Sequence, residues 1–338
     1  MSSPSPSQLP TARDRLVAAL AELRGMSEVE AIVGRKLASE APLLTEIPRY
    51  LLELGGKRMR PILALLTGRL CGLTDPSPAL LDVAAGIELI HMATLLHDDI
   101  IDRSPLRRHQ ASPYVKFGLE NTLLSGDFLL VRAFSLCARL DSFIIDSTEQ
   151  ACIELTEGEI LEVPLSRAEH TCESSLTIAR KKTAALFWLA ARSGAHLAGA
   201  PVAAVEALSR FGDRVGTAFQ VLDDILDVTS PEDLLGKKSG IDLRERKPSL
   251  VNVLWVESGS PLARRLTTPE PLDEEFIAAA LAELRGSPVI EAARGEALRL
   301  VAEGTAALEQ ALAALPTPDR HAAEALRALV AYILERME

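Results

Sequence analysis

Two strongly apolar stretches of this 338-residue chain run into the same acidic pattern, and any fold must bury the stretches without stranding the acids. LLHDDIID places Asp98, Asp99 and Asp102 at the end of the segment 80–101, and VLDDILD sets Asp223, Asp224 and Asp227 in a second copy. At about 3.6 residues per turn, the first and last aspartate of each copy fall one above the other on one helix face. Like charges at that spacing destabilise a bare helix, and unpaired carboxylates in apolar surroundings are costlier still. Something must compensate them. A solvated acidic face would have the same spacing, but both copies interrupt the most apolar segments of the chain. Oxygen-only ligands with open positions suit a hard cation such as Mg2+, which keeps its waters and bridges to phosphates. The ligand that this pattern points to is a diphosphate.

Composition sets the class. Apolar residues make up 48%, dominated by Ala and Leu, and aromatics only 4%, with short β-branched runs, so the expected fold is all-α. A net charge of -11 argues against nucleic acid as a partner. The segment 80–101 is interrupted by Asp82, Glu88 and His91 and reads as a buried core helix rather than a membrane span. The opening MSSPSPSQLPTARDR lacks the apolar stretch of a secretory signal, so residues 1–13 are expected to be a disordered tail and the protein cytoplasmic. Cys71, Cys137, Cys152 and Cys172 show no C-x-x-C pairing and read as reduced structural thiols. Turn signals at Gly55-Gly56, 74–78 and Ser104-Pro105, and a Pro-rich loop over 258–272, separate helical patterns. No linker divides them into two cores, which leaves one domain over 14–338.

Cations come in short runs. In GGKRMRP the glycines permit a tight turn, after which Lys57 and Arg60 project from the first turn of a helix. His91 lies two helical turns before Asp98 on the same face and can donate to a phosphate, although a single core histidine is as often structural. Arg107 and Arg108 follow the first acidic motif after a Pro-containing turn, and guanidinium groups fork onto phosphate oxygens. Lys182-Thr183 in RKKTAALF, and Lys237 and Lys247 in GKKSGIDLRERKPSL, come further on; singly, Lys182 and Lys237 would read as surface charge. Gln220 shares the helical face of Asp223.

In order along the chain, GGKRMRP, ELIHMATLLHDDIID, the arginine pair, LLSGDFLL, RKKTAALF, FQVLDDILD and GKKSGIDLRERKPSL resemble the all-trans polyprenyl synthetases, and the resemblance covers nearly the whole sequence. It implies an isoprenoid-synthase-type bundle of antiparallel helices around a deep central cavity, with the two aspartate motifs facing each other at its mouth, and commonly a homodimer. The implied reaction joins isopentenyl diphosphate to an allylic primer such as farnesyl or geranyl diphosphate, with Mg2+, giving a product that partitions to membranes. By position, Lys57, Arg60, His91 and Arg108 resemble the isopentenyl diphosphate pocket. Arg107, Lys182, Lys237 and Lys247 resemble contacts to the allylic diphosphate, and Thr183 and Gln220 the polar groups near the breaking carbon–oxygen bond. Asp98, Asp102 and Asp223 correspond to the principal metal ligands, supported by Asp99, Asp224 and Asp227.

Three positions depart from the family pattern. Arg246 stands where Gly is usual after Glu245, His109 replaces the usual Gly after the arginine pair, and Glu162 stands where Gln is common. A class I terpene cyclase would carry an Asn/Ser/Glu motif in place of the second aspartate copy, and a non-catalytic synthase subunit would be expected to lose aspartates or basic residues. For product length, short-chain members place a bulky aromatic four or five residues before the first aspartate, where this chain has Thr94 and Ala93. The floor is therefore expected deeper, near Ile90 and Ile87, with Phe134 and Cys137 as an opposite wall. That pattern resembles the long-chain synthases and an expected product of about six to ten isoprene units, with geranylgeranyl diphosphate as the runner-up.

Overall fold

The computed structural model describes residues 11–230 and 239–335. Residues 1–10 of the expected tail, and Lys237, lie outside the described residues. Helix α1 (Ala12–Leu20) starts two residues inside the segment expected to be disordered, because Thr11 and Asp14 form a capping box. The backbone N–H groups of Ala12 and Arg13 also donate to Glu335, near the other end of the described chain.

Helices α2 (Met26–Lys36), α3 (Pro42–Glu53), α4 (Met59–Leu70) and α5 (Pro78–Ile101) follow. A two-residue hairpin, β1 (Leu106–Arg107) and β2 (Gln110–Ala111), leads to α6 (Pro113–Phe117), α7 (Leu119–Cys137) and α8 (Ser142–Leu161). Next come α9 (Cys172–Ala179), a π-helical turn over Arg180–Ala184, α10 (Ala185–Leu197) and α11 (Val202–Thr229). The short α12 (Ile241–Glu245), α13 (Leu250–Glu257), a 3-10 turn (Ala263–Thr267), α14 (Glu274–Arg285), α15 (Pro288–Ala314) and α16 (Arg320–Glu335) complete the all-α fold.

α5 runs through the centre, packed against α2, α4, α7 and α10. It is the one described helix long and apolar enough to cross a membrane, but 67% of its apolar window is buried inside the protein. Its approach to α7 is very close: a Cβ at Gly126 would sit 2.1 Å from His97 Nε2. By helical spacing, Gly86, Ile90, Ala93 and His97 form the face turned to α7, while His91, Thr94, Asp98 and Asp102 form another face. All four cysteines are free.

Two of the departures from the family pattern have a backbone cause. Arg108 and His109 are the two central residues of the β1–β2 hairpin, with φ of 51° and 65°. A two-residue hairpin turn of this kind needs left-handed backbone at both positions, which Gly adopts without cost. Arg246 ends α12 with φ 55°, again a glycine conformation. Its guanidinium offsets the strain by donating to the carbonyls of Arg265 (3.0 Å), Thr268 (2.8 Å) and Glu270, tying down the Pro-rich loop.

Arg246→Ala should therefore destabilise more than Arg246→Gly, by about 1 kcal/mol, since both lose the carbonyl contacts and only glycine relieves the left-handed backbone. Urea unfolding midpoints compare the two; equal midpoints would show that the backbone here carries no such strain.

Candidate active site

A cavity of about 760 Å³ opens where the end of α5, the start of α4, the π-turn and the last turns of α11 converge. Asp98 and Asp102 on α5 and Asp223 and Asp224 on α11 line it together, although 125 residues separate the two motifs (223 minus 98). Lys57, Arg60, His91, Arg108, Lys182, Thr183, Gln220 and Lys247, the expected diphosphate contacts, line it as well.

Each is brought there by a local device. The αL residue Arg58 caps α4, whose first turn carries Arg60, while Lys57 stands before the cap rather than in that turn and donates to Tyr332 OH at 3.1 Å. The guanidinium of Arg60 stacks 5.1 Å over the Phe187 ring, and its buried Nε has no acceptor among the described residues. Burial pushes Arg60 down to about 10, with Glu88, Asp223 and Asp98 pulling the other way. It remains a cation at neutral pH. Burial, and then the surrounding arginines 60, 107, 108 and 58, hold His91 well below the usual histidine range, so it is a neutral donor. At the hairpin turn, Arg108 donates to the carbonyl of Gly55, bringing β1–β2 onto the glycine loop.

On the opposite wall, the π-turn widens the backbone, as such turns do at functional sites. It fits only because α8 has glycine there: a Cβ at Gly158 would lie 2.8 Å from Lys181 Cβ and 2.9 Å from Lys182 N. The turn presents Lys182 and Thr183 side by side to the cavity. Thr183 donates to Gln220 Oε1 (2.6 Å), Gln220 Nε2 donates to Asp224 (2.9 Å), and Asp224 accepts the N–H of Leu250 (3.0 Å) at the start of α13. That chain of bonds orients Gln220 and holds a carboxylate at a helix N-terminus, where the backbone dipole favours it. Even so, burial and then Asp242 push the carboxyl of Asp224 well up.

Other expected residues are placed elsewhere. Asp99 turns away from the cavity and takes a bidentate ion pair with Arg107 (2.6 and 2.9 Å), so both oxygens of Asp99 are engaged and neither residue lines the cavity. Asp227 is buried behind the cavity and accepts the N–H of Asp242 at 3.1 Å. Among the expected length-setting residues, only Thr94 lines the cavity; Ala93 and Ile90 are fully buried toward α7. Phe134, expected as an opposite wall, is 41% exposed on the outside of α7, because the α7 face that packs on α5 is carried by Gly126, Ala133 and Cys137.

Several residues in or beside the cavity, and several of its ion pairs, had escaped the sequence reading. Arg58 pairs with Glu88 at 2.8 Å, and the only signal was an acid inside the apolar α5. Glu159 and Glu162 both reach Lys182, at 2.7 and 2.6 Å, and Glu162 was visible only as an unexplained departure. Lys247 bridges from beyond the second motif to Asp102 at 2.9 Å. Burial alone would lower both lysines, but the carboxylates around them outweigh it and hold them charged.

Two ligand classes fit this wall. A diphosphate matches the buried, unpartnered Arg60 donor and the neutral His91. A hard divalent cation matches Asp98, Asp102 and Asp223, an all-oxygen set. Burial pushes Asp98 up to about 7, and a cation at the carboxylates would hold it ionised.

The fold and cavity thus define a helical enzyme that handles diphosphates with a divalent metal. The chain belongs to the polyprenyl synthetase family, whose model matches residues 41–283. It is similar to an all-trans-nonaprenyl-diphosphate synthase (geranyl-diphosphate specific) of Rhodobacter capsulatus, 41% identical over 66% of this chain and 68% of that one. It is also similar to a geranylfarnesyl diphosphate synthase of Natronomonas pharaonis, 33% identical over 96% of this chain and 99% of that one. A solved polyprenyl synthase from Caulobacter crescentus, complexed with calcium and isoprenyl diphosphate, superposes with a TM-score of 0.88 at 30% identity, covering 98% of this chain and 100% of that one.

The raised Asp98 carries a stability consequence. A carboxyl at about 7 in the folded chain against 3.8 unfolded binds more protons when folded between those values, so it costs stability increasingly as pH rises through that window. Without divalent metal, Asp98→Asn should raise the melting temperature at pH 8 by at least ~4 °C, with the gain vanishing near pH 4. Thermal unfolding in chelator at both pH values tests this; a gain equal at pH 4 and pH 8 would show that Asp98 is not the titrating group.

Proposed function

We propose that this protein uses Mg2+ to elongate an allylic diphosphate with isopentenyl diphosphate into an all-trans chain of about six to ten isoprene units. The observation that carries the reading is the meeting of Asp98 and Asp102 with Asp223 on one cavity that also gathers Arg60, His91, Lys182 and Lys247. A terpene cyclase needs no second anion pocket, and a non-catalytic subunit need not keep both motifs.

Lys57, Arg60, His91 and Arg108 lie on the α4–α5 side and hold the diphosphate of isopentenyl diphosphate, His91 as a neutral donor. Lys182, Thr183, Gln220 and Lys247 receive the allylic diphosphate on the other side. Arg107 acts at one remove, holding Asp99 and so the base of the hairpin that carries Arg108. Asp98, Asp102 and Asp223 would hold Mg2+, which would supply Lewis-acid neutralisation of the departing diphosphate. As the allylic carbon–oxygen bond breaks, Lys182 and Lys247 stabilise the charge that moves onto the leaving oxygens. The apolar sides of Met92, Leu95, Phe187 and Phe219 keep water from the allylic cation. The double bond of the neighbouring isopentenyl group attacks that cation, its position set by the second cationic pocket. Loss of a proton to the released diphosphate restores an allylic chain ready for another addition.

The long-chain reading rests on the small residues upstream of Asp98 and on the nonaprenyl synthase among the similar proteins. A homodimer, cytoplasmic and releasing its product to membrane, completes the proposal. Leu124, Val131, Ile153 and Ile160, all apolar and exposed on the consecutive helices α7 and α8, support burial against a second copy.

Purified protein given labelled isopentenyl diphosphate, farnesyl diphosphate and Mg2+ should form labelled polyprenyl diphosphate; no incorporation with farnesyl or geranyl primer would overturn the proposal. For length, Thr94→Phe should shift the main product to about fifteen or twenty carbons by placing a floor roughly one turn below Asp98. Ala93→Phe should instead lower stability by about 1–3 kcal/mol, because Ala93 is packed toward α7. Chromatography of dephosphorylated products, beside urea unfolding, separates the two; an unchanged product with Thr94→Phe would mean that the tail takes another path.

A further inference from the structure

The two lysines assigned to the allylic diphosphate that lie among the described residues already have carboxylate partners. Lys182 Nζ lies 2.6 Å from Glu162 and 2.7 Å from Glu159, and Lys247 Nζ lies 2.9 Å from Asp102 and 3.0 Å from Glu245. Carboxylate oxygens of Asp102, Glu159 and Glu162 come within 4.8 Å of one another. Two cations thus face four carboxylates, and an ammonium has only three donors to give. Glu159 and Glu162 engage two of the three N–H donors of Lys182, so a diphosphate that takes more than the remaining one draws Lys182 from a glutamate. Glu162 is the one at hand, because it lines the cavity itself while Glu159 stands behind it. Its backbone is pinned at the end of α8, its N–H donating to the carbonyls of Gly158 and Glu159, so the side chain can swing without moving the helix.

We propose that Glu162 is a displaceable counter-ion for Lys182: it yields the ammonium to an arriving diphosphate and takes it back when the cleaved diphosphate leaves. This rests on the function proposed above. Every addition leaves one diphosphate in the pocket, and a neutral Gln at this position would neither repel that anion nor reclaim the lysine. The charge of Glu162 therefore trades affinity for release. It is a positioning residue, acting on the substrate through Lys182.

Calorimetric titration of inorganic diphosphate into wild type and Glu162→Gln, with and without Mg2+, tests this directly. Removing one like charge a few ångströms from the anion should tighten diphosphate binding about tenfold or more, allowing for solvent screening. Inhibition of elongation by added diphosphate should tighten by a similar factor, with KM for the primer and kcat falling together as release slows. Glu162→Asp, which keeps the charge, should return affinity toward wild type. Glu157→Gln, an exposed carboxylate on the same helix paired to Lys181, should change nothing. Unchanged or weaker diphosphate binding by folded Glu162→Gln overturns the proposal, and so does a loss of Mg2+ affinity in that variant, which would make Glu162 a metal ligand. If wild type binds diphosphate but forms no product, the proposed function fails; if wild type is active and Glu162→Gln binds no tighter, only the counter-ion role fails.

Discussion

Negative charge held inside apolar helices is the constraint that the rest of this structure answers. α5 carries Glu88, Asp98, Asp99 and Asp102 along a helix whose other residues are mostly core, and α11 carries Asp223, Asp224 and Asp227 in the same way. An unpaired carboxylate in such a place costs several kcal/mol, so each must find a cation, a backbone N–H or a ligand. Arg58 answers Glu88, Arg107 answers Asp99, Lys247 answers Asp102, and Gln220 with the Leu250 N–H answers Asp224. The partners come from the glycine loop, the hairpin and the α12–α13 segment, which is why three stretches far apart in the chain meet at one cavity. Burial leaves Asp98 with a raised affinity for protons and, by the same charge, for a cation.

Reaching those partners bends the backbone. The non-glycine residues of left-handed φ among those described are Arg58, Arg103, Arg108, His109 and Arg246, four of them arginines. Such backbone costs roughly 1–2 kcal/mol per residue for a side chain with a Cβ. Arg58, Arg108 and Arg246 recover part of it through their own guanidinium hydrogen bonds, to Glu88, to Gly55 and to the loop after α13. Arginine suits this role because its planar fork reaches several acceptors at once. At Arg58 and Arg108 the strain is held where the chain turns a cation toward the cavity, a common location for it.

The opposite wall solves a different problem, that of holding lysines close to acids without neutralising them permanently. The π-turn and Gly158 bring α8 and the Lys182 backbone into contact, so that Glu159 and Glu162 reach the ammonium. In a low-dielectric cleft that contact is strong, yet it is made by flexible side chains and is reversible. Substrate charge is consequently exchanged for protein charge as diphosphates come and go, and the apolar half of the cavity is left to the hydrocarbon.

Periodicity and composition alone determined that the chain is all helical, that α5 and α11 are core helices, and that their aspartates need cations, because burial and like-charge repulsion act within one helix and are legible along it. Most of the cavity wall was named by the resemblance of the short motifs to the polyprenyl synthetases: Lys57 and Arg60 follow a glycine turn, but Thr183 and Gln220 carry no local signal that separates them from ordinary polar residues. Only the tertiary structure decided which acid takes which cation. Asp99 with Arg107, Lys182 with Glu162, and Lys247 with Asp102 are pairs set by how helices cross, and one helical step turns a side chain from cavity to core, as it does between Thr94 and Ala93. Phe134 shows the same limit from outside: an aromatic at helical spacing can face a cavity or solvent, and small residues on the neighbouring face, Gly126 and Ala133, settled which.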